Sequence, residues 1–240
     1  MKFRALTPQQ AWPDQWKDKL VENQPISIGI DPATTTKKLS NPTAIVVTQK
    51  VGFDYFVRAA IRFKTDDPAV TRAMLGMALD VPKGCRIRKI VVLATSERFF
   101  ATDLRSHFAG KAPVQLVIES EKASYRGEEM TYKLYLGNLV VNMLNDANLT
   151  LPNAVFVRND LRQPEGATFI AEPDESGNHA DVFCALGASL HGLVGAGGPV
   201  AAAAVAVSKI AGPKMPNRKL LNPYAYKFGA PRTRSLVGVR

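Results

Sequence analysis

Ile26-Ser27-Ile28-Gly29-Ile30-Asp31-Pro32 is the stretch on which the fold turns. Apolar residues run or alternate from Ile26 to Ile30, and the run stops at Asp31-Pro32, where the proline has no N–H for further sheet pairing. The stretch reads as a buried strand with a carboxylate at its C-terminal end. In α/β proteins the rim formed by strand C-termini is where sites are built.

Downstream, Thr43-Ala44-Ile45-Val46-Val47-Thr48 is β-branched and reads as a second strand. A turn at Gln49 to Gly52 leads into a third over Phe53 to Phe63, so the three form an antiparallel meander. Asp67-Pro68 has the form of a helix start, and Val70, Met74, Met77 and Ala78 follow at helical spacing until Pro82-Lys83-Gly84. A buried strand is expected at Arg88 to Thr95, a helix at Arg98 to Phe108 and a strand at Val114 to Ile118. The pattern then predicts a long helix over Glu128 to Asp146, a short extended stretch within Leu149 to Arg158, and an alanine-rich helix over His179 to Val194. The order βββαβαβα describes a mixed α/β sheet, an antiparallel meander followed by crossover strands, flanked by helices.

Three segments are expected along the 240 residues: a lead-in over 1–24 with Trp12 and Trp16, a main domain over 25–194, and a tail over 195–240. The formal charge of +10 is concentrated in that tail. Lys209, Lys214, Arg218, Lys219, Lys227, Arg232, Arg234 and Arg240 all follow Asp181, after which no acid occurs, so only +2 remains for the rest. A basic, aromatic-bearing tail suits a polyanion, because cations that neutralise phosphates release condensed counterions. It equally suits simple solubility.

Several classes are disfavoured. No run of about 18 apolar residues suggests a membrane span, and the N-terminus lacks a secretory hydrophobic region, so a protein that is not secreted is expected. Cys85 and Cys184 have no C-x-x-C spacing, which argues against a zinc site or a disulfide framework. The P-loop pattern G-x-x-x-x-G-K-[ST] is missing, and Gly195-Ala196-Gly197-Gly198 follows a helix and carries no lysine, so no ATPase motif of that kind is expected.

Three acids fall where separate elements should converge. Asp31 ends the first strand, Glu97 lies just past the fourth, and Asp181 sits in the first turn of the last helix. Gathered carboxylates repel unless cations neutralise them or one is protonated, and Mg²⁺ or Mn²⁺ meets that need. Two such ions can hold both oxygens of a phosphodiester displacement. The plainer readings are that Asp181 complements a helix dipole and that Glu97 is an exposed acid beside Arg98 and Asp103. His179, two residues before Asp181, is a candidate auxiliary group, as is Asp103; His179 is as compatible with helix capping. Lys37, Lys38, Arg126 and Lys133 are candidate phosphate contacts.

Ile28-Gly29-Ile30-Asp31-Pro32, Ala94-Thr95-Ser96-Glu97-Arg98-Phe99-Phe100-Ala101 and His179-Ala180-Asp181, in this order and spacing, resemble the nuclease domain of the large terminase subunit of tailed bacteriophages. The resemblance covers roughly residues 26–194. It implies a ribonuclease H-like fold and a metal-dependent endonuclease, using Mg²⁺ or Mn²⁺ and two ions, that cuts concatemeric viral DNA during genome packaging. It also implies that Asp31, Glu97 and Asp181 match the metal-binding acids, Asp103 being the alternative second acid. Implied partners are double-stranded DNA, a terminase ATPase domain, the small terminase subunit and the portal protein, in the host cytoplasm during viral assembly. The family's usual ATPase domain does not precede this stretch, which suggests an excised fragment or a separately made chain. A junction resolvase of the same fold and a non-catalytic DNA-binding or portal-docking module remain alternatives. An actin-like ATPase would need a second glycine-rich phosphate loop, which is not found.

Overall fold

A sheet with helices on both faces is built around the strand β2 (Pro25–Asp31). β2 pairs antiparallel with β3 (Thr43–Val51), which pairs antiparallel with β4 (Asp54–Phe63). On its other side β2 runs parallel to β5 (Arg86–Leu93), and β5 runs parallel to β6 (Val114–Val117). Outside β4 lie β1 (Gln10–Ala11), antiparallel to it, and β9 (Leu149–Thr150), parallel to it. An antiparallel meander followed by parallel crossover strands is thus the observed sheet, as the sequence pattern predicts. This computed structural model describes residues 10–11, 15–37, 40–166, 168–175 and 177–195. Trp12, Lys38 and the tail beyond Gly195 therefore lie outside the described residues. Among the described residues no helix is long and apolar enough to cross a membrane.

The two faces of β2 are buried by different means. Ile26, Ile28 and Ile30 are fully buried in a core with α1 (Pro68–Leu79) and α2 (Arg98–Phe108), through Met74, Leu75, Phe100, Leu104 and Phe108. Each such isoleucine contributes roughly 1.5–3 kcal/mol by leaving water. At its centre the opposite face carries Ser27 and Gly29, and over them lies α5 (Asp181–Leu193). A Cβ at Gly29 would overlap the backbone of Ala185 and Ser189, and one at Gly192 would overlap Ser27. Ser189 Oγ donates to the Ser27 carbonyl at 3.1 Å across the same seam. Residues of one hydrogen per side chain, or nearly so, let the helix backbone settle onto the strand. The alternation of large and small residues in β2 is a record of that contact. α3 (Tyr132–Asn145) packs beside α5, with Leu136 against Gly187, and completes the second core.

The structure differs from expectation at three places. The long helix begins at Tyr132, four residues later than its pattern suggests, because Lys122–Tyr125 (β7) and Glu128–Thr131 (β8) pair as a hairpin. Arg126 and Gly127 form its turn with φ of 53° and 88°, the two positive values that match the twist of a two-residue hairpin. Thr131 then caps α3, its Oγ1 accepting from the Leu134 N–H at 3.4 Å. Secondly, after Leu149–Thr150 the chain does not stay extended but turns through a short helix, α4 (Val155–Asp160), despite two valines and a phenylalanine. Burial of Val157 and Asp160 outweighs weak local propensity there. Finally, the last helix opens at Asp181 rather than His179, because Ala180 is held in the left-handed region at φ 60°.

The β2–α5 seam gives a direct test. Gly29→Ala is expected to cost at least about 2 kcal/mol in urea unfolding, as overpacking against backbone cannot relax. Gly76→Ala, in α1 where a Cβ meets nothing within 4 Å, is expected to gain roughly 0.5–1 kcal/mol.

Candidate active site

Three strand ends share one rim. Ile30 is level with Val92, and Leu93 with Val117, so the chain leaves β2, β5 and β6 on the same side of the sheet. Asp31 is the last residue of β2, and by strand alternation its side chain lies on the face of Gly29, under α5. α5 runs antiparallel to β2: Gly192 lies at Ser27, while Ala185 and Ser189 lie at Gly29. Its first residue, Asp181, therefore comes over Asp31.

The electrostatics agree with that placement. Burial pushes the Asp31 carboxyl well above the ordinary carboxylate range, and the charges of Asp181, Glu119 and Asp160 push it further. Asp181, 1% exposed, is raised from 3.8 to about 7, chiefly by burial, with Asp160 adding to the rise. A hydrogen bond from the His179 N–H to its Oδ2 at 3.2 Å and the Arg62 charge oppose it. Burial and the charges of Asp31, Glu119, Asp181 and Asp160 likewise raise the Cys184 thiol. Among the described residues no hydrogen-bond donor or cation reaches the Asp31 carboxylate.

Asp31 and Asp181 are thus brought together, but the other acid that acts on Asp31 from the strand rim is Glu119 rather than Glu97. Glu119 follows β6, and its backbone is held on both sides: its N–H donates to Thr95 Oγ1 at 3.0 Å, and its carbonyl accepts from the Lys133 N–H at 3.1 Å. Val117, two residues earlier and the last of β6, faces the core under α5, and the Glu119 charge in the following turn acts on Asp31. Glu97 precedes α2, whose buried side chains enter the opposite core. It accepts a hydrogen bond from Thr34 Oγ1 at 2.8 Å and so ties the loop after Asp31 to the start of α2. Asp103 lies further along α2, paired with Arg72 at 2.7 Å.

The remaining candidates are scattered. His179 contributes its backbone N–H to Asp181. Lys133 is exposed at the start of α3 beside Glu119, Lys37 is exposed in the loop after Asp31, and Arg126 sits at the hairpin tip over the Tyr125 ring at 5.2 Å. Two groups were not singled out from sequence. Glu119 was readable from the parity of Val117-Ile118-Glu119 with Ile28-Gly29-Ile30-Asp31, whereas Asp160 carries no sequence signal of its own.

Among the described residues no group of three or more His, Cys, Asp or Glu side chains is placed to hold a metal ion. The donor chemistry of Asp31, Asp181 and Glu119 nonetheless fits a hard divalent cation: all are carboxylate oxygens, two are raised by burial, and Asp31 has no compensating partner.

No family model matches the chain, and no curated protein matches it. Similar solved structures include the large terminase nuclease of thermophilic phage G20c, 12% identical with a TM-score of 0.49 over 70% of this chain and 82% of that one. The nuclease domain of the large terminase subunit of bacterial virus Sf6 is 9% identical, with a TM-score of 0.47 over 75% of this chain and 94% of that one. The human cytomegalovirus terminase nuclease domain is 10% identical, with a TM-score of 0.46 over 70% and 82% respectively.

A raised carboxyl binds its proton more tightly in the folded state, so without metal its contribution to stability falls as pH rises from about 4 through about 7, the interval between the ordinary and folded values of Asp181. In EDTA, Asp181→Asn is expected to stabilise the chain at pH 8 by about 1–3 kcal/mol and to flatten the dependence over that interval. Denaturant titrations at pH 5 and pH 8 check both; destabilisation at pH 8 would contradict them.

Proposed function

We propose that this chain is a metal-dependent DNA endonuclease whose site is formed by Asp31, Asp181 and Glu119. The observation that carries the proposal is Asp31 itself: a carboxylate at the sheet rim, raised by burial and by three neighbouring acids, with no donor or cation against it among the described residues. Such a cluster is stable when protonated or when it holds positive charge, and only the second makes a rim of carboxylates useful against phosphate. Asp31, Asp181 and Glu119 would hold Mg²⁺ or Mn²⁺. One or two such ions, when bound, supply the Lewis-acid chemistry that phosphodiester hydrolysis requires.

The chain's own residues do the rest. Asp31 and Asp181 would fix the cation-holding oxygens on β2 and α5, whose seam at Gly29 leaves no room for a Cβ. Lys133, exposed beside Glu119, and Lys37, in the loop after Asp31, are placed to meet a phosphate backbone without reading its bases. Glu97 braces that loop through Thr34 rather than holding the cation. Together with the motifs quoted above, the arrangement supports a role in cutting concatemeric viral DNA during packaging. The partners would be an ATPase domain, a small terminase subunit and a portal.

Supercoiled plasmid incubated with the purified chain in Mg²⁺, Mn²⁺ or EDTA tests the reading. Nicking that requires metal is expected, with Asp31→Asn and Asp181→Asn each reducing the rate at least about 100-fold, comparable to the loss of a key electrostatic group in other active sites. Glu119→Gln is expected to reduce it at least about 10-fold, and Glu97→Gln to leave it within about threefold. Cutting that survives both aspartate substitutions rules out this site. A strong preference for four-way junctions over linear duplex would favour the resolvase alternative, and DNA binding without cutting the non-catalytic one.

A further inference from the structure

Asp160 belongs to the acidic neighbourhood but stands apart from it chemically. It is wholly buried on α4, and its two oxygens are spoken for: Oδ2 accepts from Arg62 Nη1 at 2.9 Å, and Oδ1 accepts from the Phe183 N–H at 2.9 Å. The neighbouring Val182 N–H also favours the charged form of the carboxylate. Both amides belong to the first turn of α5, and the residue before that helix makes no side-chain cap. Ala180 precedes the helix, has no side chain able to accept a bond, and sits in the left-handed region, where its N–H donates to Gln163 Oε1 at 2.7 Å. First-turn amides with no partner are costly when buried.

We propose that Asp160 is a positioning residue: across the chain it supplies the N-cap that α5 lacks, and Arg62 neutralises it so that it performs this task without joining Asp31 and Asp181 as a cation ligand. The inference deepens the nuclease reading and rests on it for the identity of the site. Arg62 is well placed for that part. It is 5% exposed on β4 and lies over the Phe156 ring at 5.5 Å, a setting closed to substrate, so it is an internal counter-charge rather than a phosphate contact. An acid without Arg62 would be one more repulsive charge beside Asp31; burial raises the Asp160 carboxyl, and Arg62 opposes that rise with a counter-charge at 2.9 Å. The cap fixes the start of α5, and the start of α5 fixes Asp181.

The test uses the full chain and removes both charges together, because a lone buried cation or anion would unfold the protein for unrelated reasons. Arg62→Met with Asp160→Asn retains an oxygen acceptor for the Phe183 N–H, and asparagine caps helices as well as aspartate does. Arg62→Met with Asp160→Ala removes the acceptor. Amide hydrogen exchange is read at Val182 and Phe183 against Leu186 to Leu190, and plasmid nicking is read against Mn²⁺ and plasmid concentration. The asparagine pair is expected to exchange within about twofold of wild type and to need the same Mn²⁺ concentration for half-maximal cutting. The alanine pair is expected to exchange at least about fivefold faster at those two amides only, the loss typical of an N-cap. It is also expected to cut about tenfold more slowly at saturating plasmid, with half-saturation unchanged.

Equal exchange in both pairs, whether fast or slow, overturns the proposal. So does an asparagine pair that needs at least tenfold more Mn²⁺, since that is the behaviour of a ligand. A wild-type chain that does not cut defeats the nuclease reading, while the exchange experiment still decides the cap.

Discussion

The close approach of α5 to β2 is the constraint on which the rest of the molecule depends. It is made possible by what is missing: no side chain at Gly29 or Gly192, and only a hydroxymethyl at Ser27 and Ser189. A helix resting on a strand through larger residues stands further off, and its first-turn carboxylate would then lie further from the strand's last one. Through this seam, Asp181 and Asp31 come within range of each other's charge. The opposite face of β2 compensates for the absence of apolar side chains in the seam, with three isoleucines wholly buried against α1 and α2. One strand thus anchors the core with its even-numbered side chains and turns Ser27, Gly29 and Asp31 toward α5.

Bringing carboxylates into a buried corner carries an energetic penalty, and the fold distributes that penalty unequally. Asp160 is compensated internally by Arg62 and by the amides of α5; Asp181 is compensated in part by the His179 N–H and its helix; Asp31 is not compensated by the described residues at all. The gradient separates Asp160, which the fold compensates, from Asp31, which the described residues leave uncompensated. A helix start normally tolerates an acid for its own sake, so Asp181 alone would mean little. Its meaning comes from sharing the corner with an acid that has no such excuse.

Much of this was legible in the chain. Period-two burial with Asp-Pro at the end marked β2, and the meander and crossover strands followed from β-branched runs and turn residues at the expected intervals. Asp31 and Asp181 were marked by position: the last residue of one buried element and the first of another. The second acid was harder: sequence weighed Glu97 against Asp103, and Glu119, whose charge acts on Asp31, was passed over because its place depends on how the chain leaves β6. The motif around Glu97 drew attention to α2, yet α2 packs on the opposite side from α5. The hairpin was hidden because Arg126-Gly127 is a less familiar turn pair than Asn-Gly, and Met130 and Leu134 continue in a helical rhythm across it. Asp160 and Arg62 were beyond reach, since residues nearly a hundred positions apart meet only in the folded state.

Whether the corner holds a divalent cation in the absence of DNA is the central question, and calorimetric titration of the full chain with Mn²⁺ answers it most directly. The account requires saturable binding that disappears in Asp31→Asn and weakens in Glu119→Gln, while Glu97→Gln binds as wild type does. Binding indifferent to Asp31, or lost in Glu97→Gln alone, would contradict it.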